Sequence, residues 1–452
     1  MDDILARRSA GILLHVTSLP SGRLDDDALR WLDFMAASGL GVWQVLPLVI
    51  PDANGSPYQS ASAFATDPRL LPAHPDPINE SAFETYCGRE SHWLDDFALF
   101  QVLKRRFNGE PWVSWPDTFR HRDAASLRQV GLDEAAAIDK IKRQQYQLDE
   151  AWHRIRRHAH DLGIALFGDI PIFVAHDSAD TWSCPESFLL DDEGRPTYVT
   201  GVPPDYFSET GQRWGNPHYR WDRMQADGFT WWLSRMQRQY DLFDIVRIDH
   251  FRGLVAVWMI EASCETAIDG FWQETPGEAL LNALKAHYHR LPIVAEDLGV
   301  ITEEVRALRR HFELPGMSVL QFAFDQFEDN PHKPANISAD DVVYTGTHDN
   351  DTCVGWFNGL QPHEKEFVFQ ILETKPRDDI AWLMIETALQ TSANMAVAPL
   401  QDFLELDTTA RMNTPGISDG NWRWSFHWNM LTDELPARIR TMIETSGRLY
   451  AR

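Results

Sequence analysis

Concentrated positive charge is what this sequence most lacks. Against 67 Asp and Glu stand 41 Lys and Arg, a formal net charge of −26 over 452 residues. Gripping nucleic acid needs a cationic face that displaces counterions from phosphate, and holding an anionic membrane surface needs a polybasic one. Neither partner is expected. No apolar run approaches the ~18 residues of a membrane span. Arg7 and Arg8 precede a short apolar run, but residues 11–16 are too few for a signal-peptide core, acids come before them and no small-residue cleavage site follows. That run reads as a strand, and the expected compartment is the cytoplasm. The four cysteines, Cys87, Cys184, Cys264 and Cys353, are scattered without a CxxC pair, which speaks against a disulfide framework and against a zinc site. No GxGxxG or GxxxxGK[ST] phosphate turn, HExxH, calcium-loop spacing, low-complexity tract or fixed-period repeat occurs. His153, His158 and His160 share no helical face and read as a solvated helix end. No cofactor and no metal is expected, and the sequence leaves the oligomeric state unknown.

What the sequence has in excess is aromatic surface: 18 Trp, 10 Tyr and 24 Phe make up 12% of it. Most of these rings belong to a core, but such an excess also suits a site that stacks on sugar rings. Along the chain, short apolar β-rich runs alternate with longer helical stretches, as in βα units on a parallel sheet. Eight runs qualify: residues 11–19, 41–48, 165–174, 243–251, 291–299, 317–324, 342–350 and 395–403. Asp25 reads as the N-cap of a helix with Leu29, Leu32, Met35 and Ala36 on one face and Gly39 as its stop. Eight parallel strands in an α/β chain predict a (β/α)8 TIM barrel, because a doubly wound sheet would need the missing phosphate turn. About a hundred residues separate the second run from the third, with a helical pattern at Trp93, Phe97, Phe100, Val102, Leu103 and Phe107. This predicts a helical insertion subdomain over 51–150 and a catalytic barrel over 1–50 and 151–452. Residues 175–230, rich in Pro, Gly, Asp and aromatics, read as a long structured loop over the barrel's C-terminal face.

The carboxylates fall where a barrel does its chemistry. Three late runs end in charged clusters: Arg247–Ile248–Asp249–His250, Glu296–Asp297, and His348–Asp349–Asn350–Asp351. Acids at the C-terminal ends of barrel strands sit at the mouth. One such cluster is unremarkable, since loops and helix N-caps are often acidic. Three in succession point to a shared site. Two carboxyls facing across a cleft are what cleavage of a glycosidic bond requires, one acting on the anomeric carbon and the other giving a proton to the leaving oxygen. Metal binding is the rival use of clustered Asp, Glu and His, and ranks lower for want of a ligand spacing.

Seven long segments carry a family resemblance: SPYQSASAFA at 56–65, GDIPIFVAHDSADTW at 168–182, GVPPDYFSETGQRWGNPHYRW at 201–221, VRIDHFRG at 246–253, AEDLGVIT at 295–302, TGTHDNDT at 345–352, and RMNTPG with NWRW within 411–424. Together they resemble the amylomaltases, 4-α-glucanotransferases of the α-amylase clan. The resemblance implies Asp249 as nucleophile, Glu296 as general acid/base and Asp349 as a third carboxylate holding sugar hydroxyls. It implies Arg247 beside the nucleophile, His348 as a donor to hydroxyls, Tyr58 as the platform under the sugar with Ser56 nearby, and Asp169 as support. Trp214 and Asn216 resemble acceptor-side or loop-shaping residues, and Asn421 a glucan contact. The chain is short for this family, and the missing length falls between Tyr58 and Asp169. Ser425 follows NWRW where relatives place Arg.

The implied reaction is cleavage of an α-1,4-glucosidic bond in a maltooligosaccharide by retaining double displacement, and transfer of the glucan to the 4-OH of another glucan or glucose. The alternative is a hydrolase of α-amylase type with water as acceptor. A non-catalytic glycan-binding protein could dispense with the three acids. Tyr206, Phe207 and Trp214 in the 201–217 loop, stiffened by Pro203, Pro204 and Pro217, read as a cover that disfavours water and positions a sugar.

Overall fold

The computed structural model describes residues 4–204, 208–417 and 419–449. Eight short strands lie side by side in chain order: β1 (Ser9–Leu13), β2 (Val42–Gln44), β3 (Ala165–Ile170), β4 (Ile245–Ile248), β5 (Ile293–Ala295), β6 (Gly316–Val319), β7 (Asp341–Tyr344) and β8 (Met395–Pro399). Their ladders are all parallel and run β6-β7-β8-β1-β2-β3-β4-β5. The two ends of that row meet. The Ala295 N–H donates to the Pro315 carbonyl at 2.8 Å, and Asp297 accepts the Met317 N–H at 2.8 Å while pairing with Arg309 at 3.3 Å. The sheet thus closes into the (β/α)8 barrel that the sequence predicts.

Buried on both faces, the strands read as nearly unbroken apolar runs, and side-chain alternation divides them. Ile12, Trp43, Leu166, Val246 and Val343 pack outward with the helices. Leu13, Val42, Ala165, Phe167, Ile245, Val294, Val342 and Tyr344 fill a second, inner cluster. The period of two then carries polar residues into the bore near its mouth: Gln44, Asp169 and Arg247 share the inward parity of their strands. Gly168 sits between Phe167 and Asp169 because a Cβ there would come within 2.2 Å of the Phe243 ring.

Each predicted run begins on or near its strand but overshoots the C-terminal end. β3 stops at Ile170 because Pro171 has no N–H for the ladder, and β6 passes at Leu320 into a helical turn. The overshoot consists of mouth residues, among them Asp249, Glu296 and Asp349. Helix α1 (Asp26–Ser38) starts on Asp25, whose carboxylate accepts the Asp27 N–H, and stops at Gly39 with φ +76°. Its buried face is Ala28, Trp31, Leu32, Met35 and Ser38, turned from the predicted one, so that Leu29 and Ala36 are only half-buried.

Between β2 and β3 the expected helices form. Trp93, Phe97, Phe100, Val102 and Leu103 are the buried face of α2 (Ser91–Arg106). Residue 150 lies inside one continuous helix, α3 (Ala135–Asp161), which packs its Trp152 ring on Trp43 and Phe243 of the barrel. The three histidines of this helix pair with Asp149, Asp33 and Asp244. After β3 the loop is more regular than the sequence suggests. Tyr198–Val202 and Gln212–Pro217 join Ala256–Glu261 and Gly270–Glu274 in a four-stranded antiparallel sheet. The last strand is exposed along its whole length, so no hydrophobic alternation marks it. Among the described residues no helix is long and apolar enough to cross a membrane.

Candidate active site

Register brings the first charged pair together: Asp169 on β3 lies directly opposite Arg247 on β4. Arg247 Nη1 is 2.8 Å from both Asp169 oxygens, and its Nη2 donates to Asp249 Oδ1 at 2.8 Å. Asp169 and Arg247 are 1% and 5% exposed, so the guanidinium has given up water for these two carboxylates. Tyr58 completes the support, donating its hydroxyl to Asp169 Oδ2 at 2.7 Å. Burial first, and Asp169 second, push that phenol far above its ordinary range, so it stays a donor. Asp249 stands one residue beyond β4, its side chain about one-third open to the mouth.

Glu296 stands one residue beyond β5. It accepts the His250 N–H at 2.7 Å on Oε2 and the Leu298 N–H at 3.1 Å on Oε1. Burial raises its pKa well above the carboxylic range and the neighbouring Asp249 raises it further, against the pull of Arg247 and the two N–H groups. One carboxyl is thus paired with a guanidinium while its neighbour holds a proton, the separation of roles that acid-assisted displacement needs. His250, with φ +52°, is pushed down to about 4 by burial and stays neutral beside them.

The third acid lies on the loop after β7. Asn413 Nδ2 donates to Asp349 Oδ1 at 2.6 Å, Arg411 donates to the Asp349 carbonyl, and His348 Nε2 is 3.3 Å from Oδ1. His348 is buried and stacks on Tyr58, with centroids 5.2 Å apart and planes 12° apart. Trp422 leans on both rings, at 5.9 Å from Tyr58 and 5.8 Å from His348. The result is an aromatic wall with acids at its foot, able to receive the apolar face of a sugar while carboxylates meet its hydroxyls. Below it His15, buried and uncharged, is held down to about 3 by burial and by His348.

The remaining expected residues fall into two groups. Trp214 reaches the site: its ring stands edge-on to His250 with centroids 4.8 Å apart. Ser56, Asn216 and Asn421 bond to neighbouring loop segments. Ser56 Oγ accepts the Tyr58 N–H. Asn421 ties residues 414 and 417 together with both ends of its amide. The Asn216 amide is 4% exposed and committed to Gln59, Val174 and Thr200. Tyr206 and Phe207 lie outside the described residues. Among the described residues no group of three or more His, Cys, Asp and Glu is arranged to hold a metal.

Sequence reading misses Asn413, Arg411, Trp422, Gln59 and His15. The first three lie inside or beside RMNTPG and NWRW, so the motifs were visible while the individual roles were not. His15 lies on β1's inward parity (11, 13, 15), a signal the sequence offers once β1 is placed.

A match to the 4-alpha-glucanotransferase family covers residues 14–76 and 72–432, breaking within the stretch where the chain is short. The chain is 42% identical to the 4-alpha-glucanotransferase of Thermus thermophilus over 496 aligned positions, covering 98% of this chain and 99% of that one. It is 40% identical to the 4-alpha-glucanotransferase of Synechocystis, covering 98% and 99%. Among solved structures it superposes on the amylomaltase from Streptococcus agalactiae in complex with acarbose with a TM-score of 0.94 at 30% identity, covering 98% of this chain and 100% of that one.

Proposed function

This chain belongs to the 4-alpha-glucanotransferase family, and from that premise we propose how its residues perform the transfer. It is a 4-α-glucanotransferase acting on α-1,4-glucans. The observation that carries the mechanism is the contrast between Asp249, bound by Arg247, and the proton-holding Glu296 beside it. Asp249 attacks the anomeric carbon as Glu296 gives its proton to the glycosidic oxygen, and the leaving glucan departs with a free 4-OH. The glycone stays esterified to Asp249. Glu296, now ionised, takes the proton from the 4-OH of an acceptor glucan or glucose, whose oxygen attacks the same carbon and releases Asp249. Two inversions return the α configuration.

Asp349, held by Asn413, and His348 bind hydroxyls of the sugar in the cleavage position, and Tyr58 and Trp422 line its face. Contacts that tighten as the oxocarbenium-like state forms lower the barrier. Trp214 covers the acceptor side. Maltooligosaccharides are the substrates, neither nucleic acid nor membrane is a partner, and the place of work is the cytoplasm, in keeping with four unpaired cysteines.

Incubation with maltotriose tests the reading. Transfer gives glucose and longer maltodextrins, with the new linkage α. Glucose and maltose alone would identify an α-amylase-type hydrolase instead, and a β product at first release would remove Asp249 as nucleophile.

A further inference from the structure

Gln59 follows the platform tyrosine directly in sequence, and its side chain leaves that wall for the opposite side of the cleft. Its Nε2 donates to Asn216 Oδ1 at 2.9 Å and to the Trp214 carbonyl at 3.3 Å. Asn216 Nδ2 answers with donations to Gln59 Oε1 at 3.2 Å and to the Val174 carbonyl at 2.9 Å. Two primary amides facing head to tail satisfy each other's donor and acceptor at once, so neither can turn without stranding the other. The segments they join are 157 residues apart in sequence. One carries Tyr58, bonded to Asp169 and stacked on His348. The other carries Trp214, whose ring stands against His250. Gly215, at φ +84°, makes the turn that lets the Trp214 carbonyl and the Asn216 amide meet the same Gln59.

We propose that the Gln59–Asn216 amide pair is a positioning link that couples the donor-sugar platform to the acceptor-side loop and so favours transfer over hydrolysis. The inference rests on the transfer reaction proposed above. Water needs no orientation to attack the anomeric carbon, whereas an acceptor sugar must be held with one hydroxyl aimed at it. A link that fixes Trp214 relative to Tyr58 therefore helps the sugar and does little for water. Neither amide touches the reacting atoms. Both act through the rings they place.

The test uses the full chain with maltotriose as donor and added glucose as acceptor, comparing Gln59→Ala, Asn216→Ala and the double variant. Each single change is expected to raise the hydrolysis-to-transfer ratio about tenfold, with the KM for glucose rising more than donor cleavage slows. The double variant is expected to match the larger single effect, because both changes break one link. Gln59→Glu keeps the volume and an acceptor for Asn216 but loses both donated bonds, so it should shift the ratio in the same direction even where alanine prevents folding. An unmoved ratio in a folded variant, or effects that add in the double, would overturn the link. Wild-type protein that yields only glucose and maltose would overturn the transfer reading, and the link with it.

Discussion

His250 donates its backbone N–H to Oε2 of Glu296 at 2.7 Å, so the residue after the proposed nucleophile fixes the carboxyl proposed as acid. The left-handed backbone of His250 makes this possible by turning the chain at the end of β4 toward β5. The two acids are therefore set by one short piece of backbone.

Their roles separate by substitution. Asp249→Asn should lose turnover on every donor by several orders of magnitude, because no ester can form. Glu296→Gln should be comparably slow on maltotriose yet recover most first-step activity on an α-glucosyl fluoride, whose departure needs no proton. Equal loss on both donors would reassign Glu296.

Stability against pH reads the same carboxyl. Its folded pKa lies above the unfolded value of about 4.3. Between those two values the folded state binds the extra proton, so stability falls as pH rises through the window. Glu296→Gln should remove that slope, leaving the variant more stable than wild type on the alkaline side and nearly unchanged at pH 4. Thermal melts across pH decide it, and a wild-type slope that survives in the variant would refute the assignment.

Arg247→Met strands two carboxylates, one of them Asp169 at 1% exposure. Breaking a buried pair by removing one partner costs about 3–5 kcal/mol, and the denaturant midpoint should fall accordingly. Adding Asp169→Asn should return part of that loss without restoring turnover, since Asp249 remains unpaired.

Asn413→Ala leaves Asp349 without its 2.6 Å amide donor. If Asp349 works on hydroxyls in the transition state, kcat should drop about tenfold with KM little altered. A change in KM alone would mean that Asp349 serves ground-state binding.

Much of this was legible before the coordinates. Asp249, Glu296 and Asp349 stand out because three late apolar runs each finish in a charged cluster, while the roles of Asp169 and Arg247 are reached only through the family resemblance. The helix capped by Asp25 and Gly39 is readable from local chemistry alone. What was hidden is what depends on partners far away in sequence. Asn413 meets Asp349, and Gln59 meets Asn216, through loops that carry no periodicity, so their amides could be assigned to sugar or to each other with equal right. The exposed strand Gly270–Glu274 escaped for a related reason: with no face buried, it has no pattern to betray it.

The closure between β5 and β6 is the one place in the ring without a strand ladder among the described residues. Among the described residues the ladder order begins at β6 and ends at β5, and the Ala295–Pro315 bond and the Asp297 carboxylate fasten the two ends. β4 and β5 lie on one bank, laddered through Ile248 and Ala295; β6 and β7 lie on the other. The spacing of Asp249 and Glu296 is thus built into a single bank. A slight parting of the banks would leave that spacing intact while drawing the loop of Asp349 away from both. The proposed covalent step thus rests on two strands joined by their own ladder, and the proposed grip on the sugar on a strand across the seam.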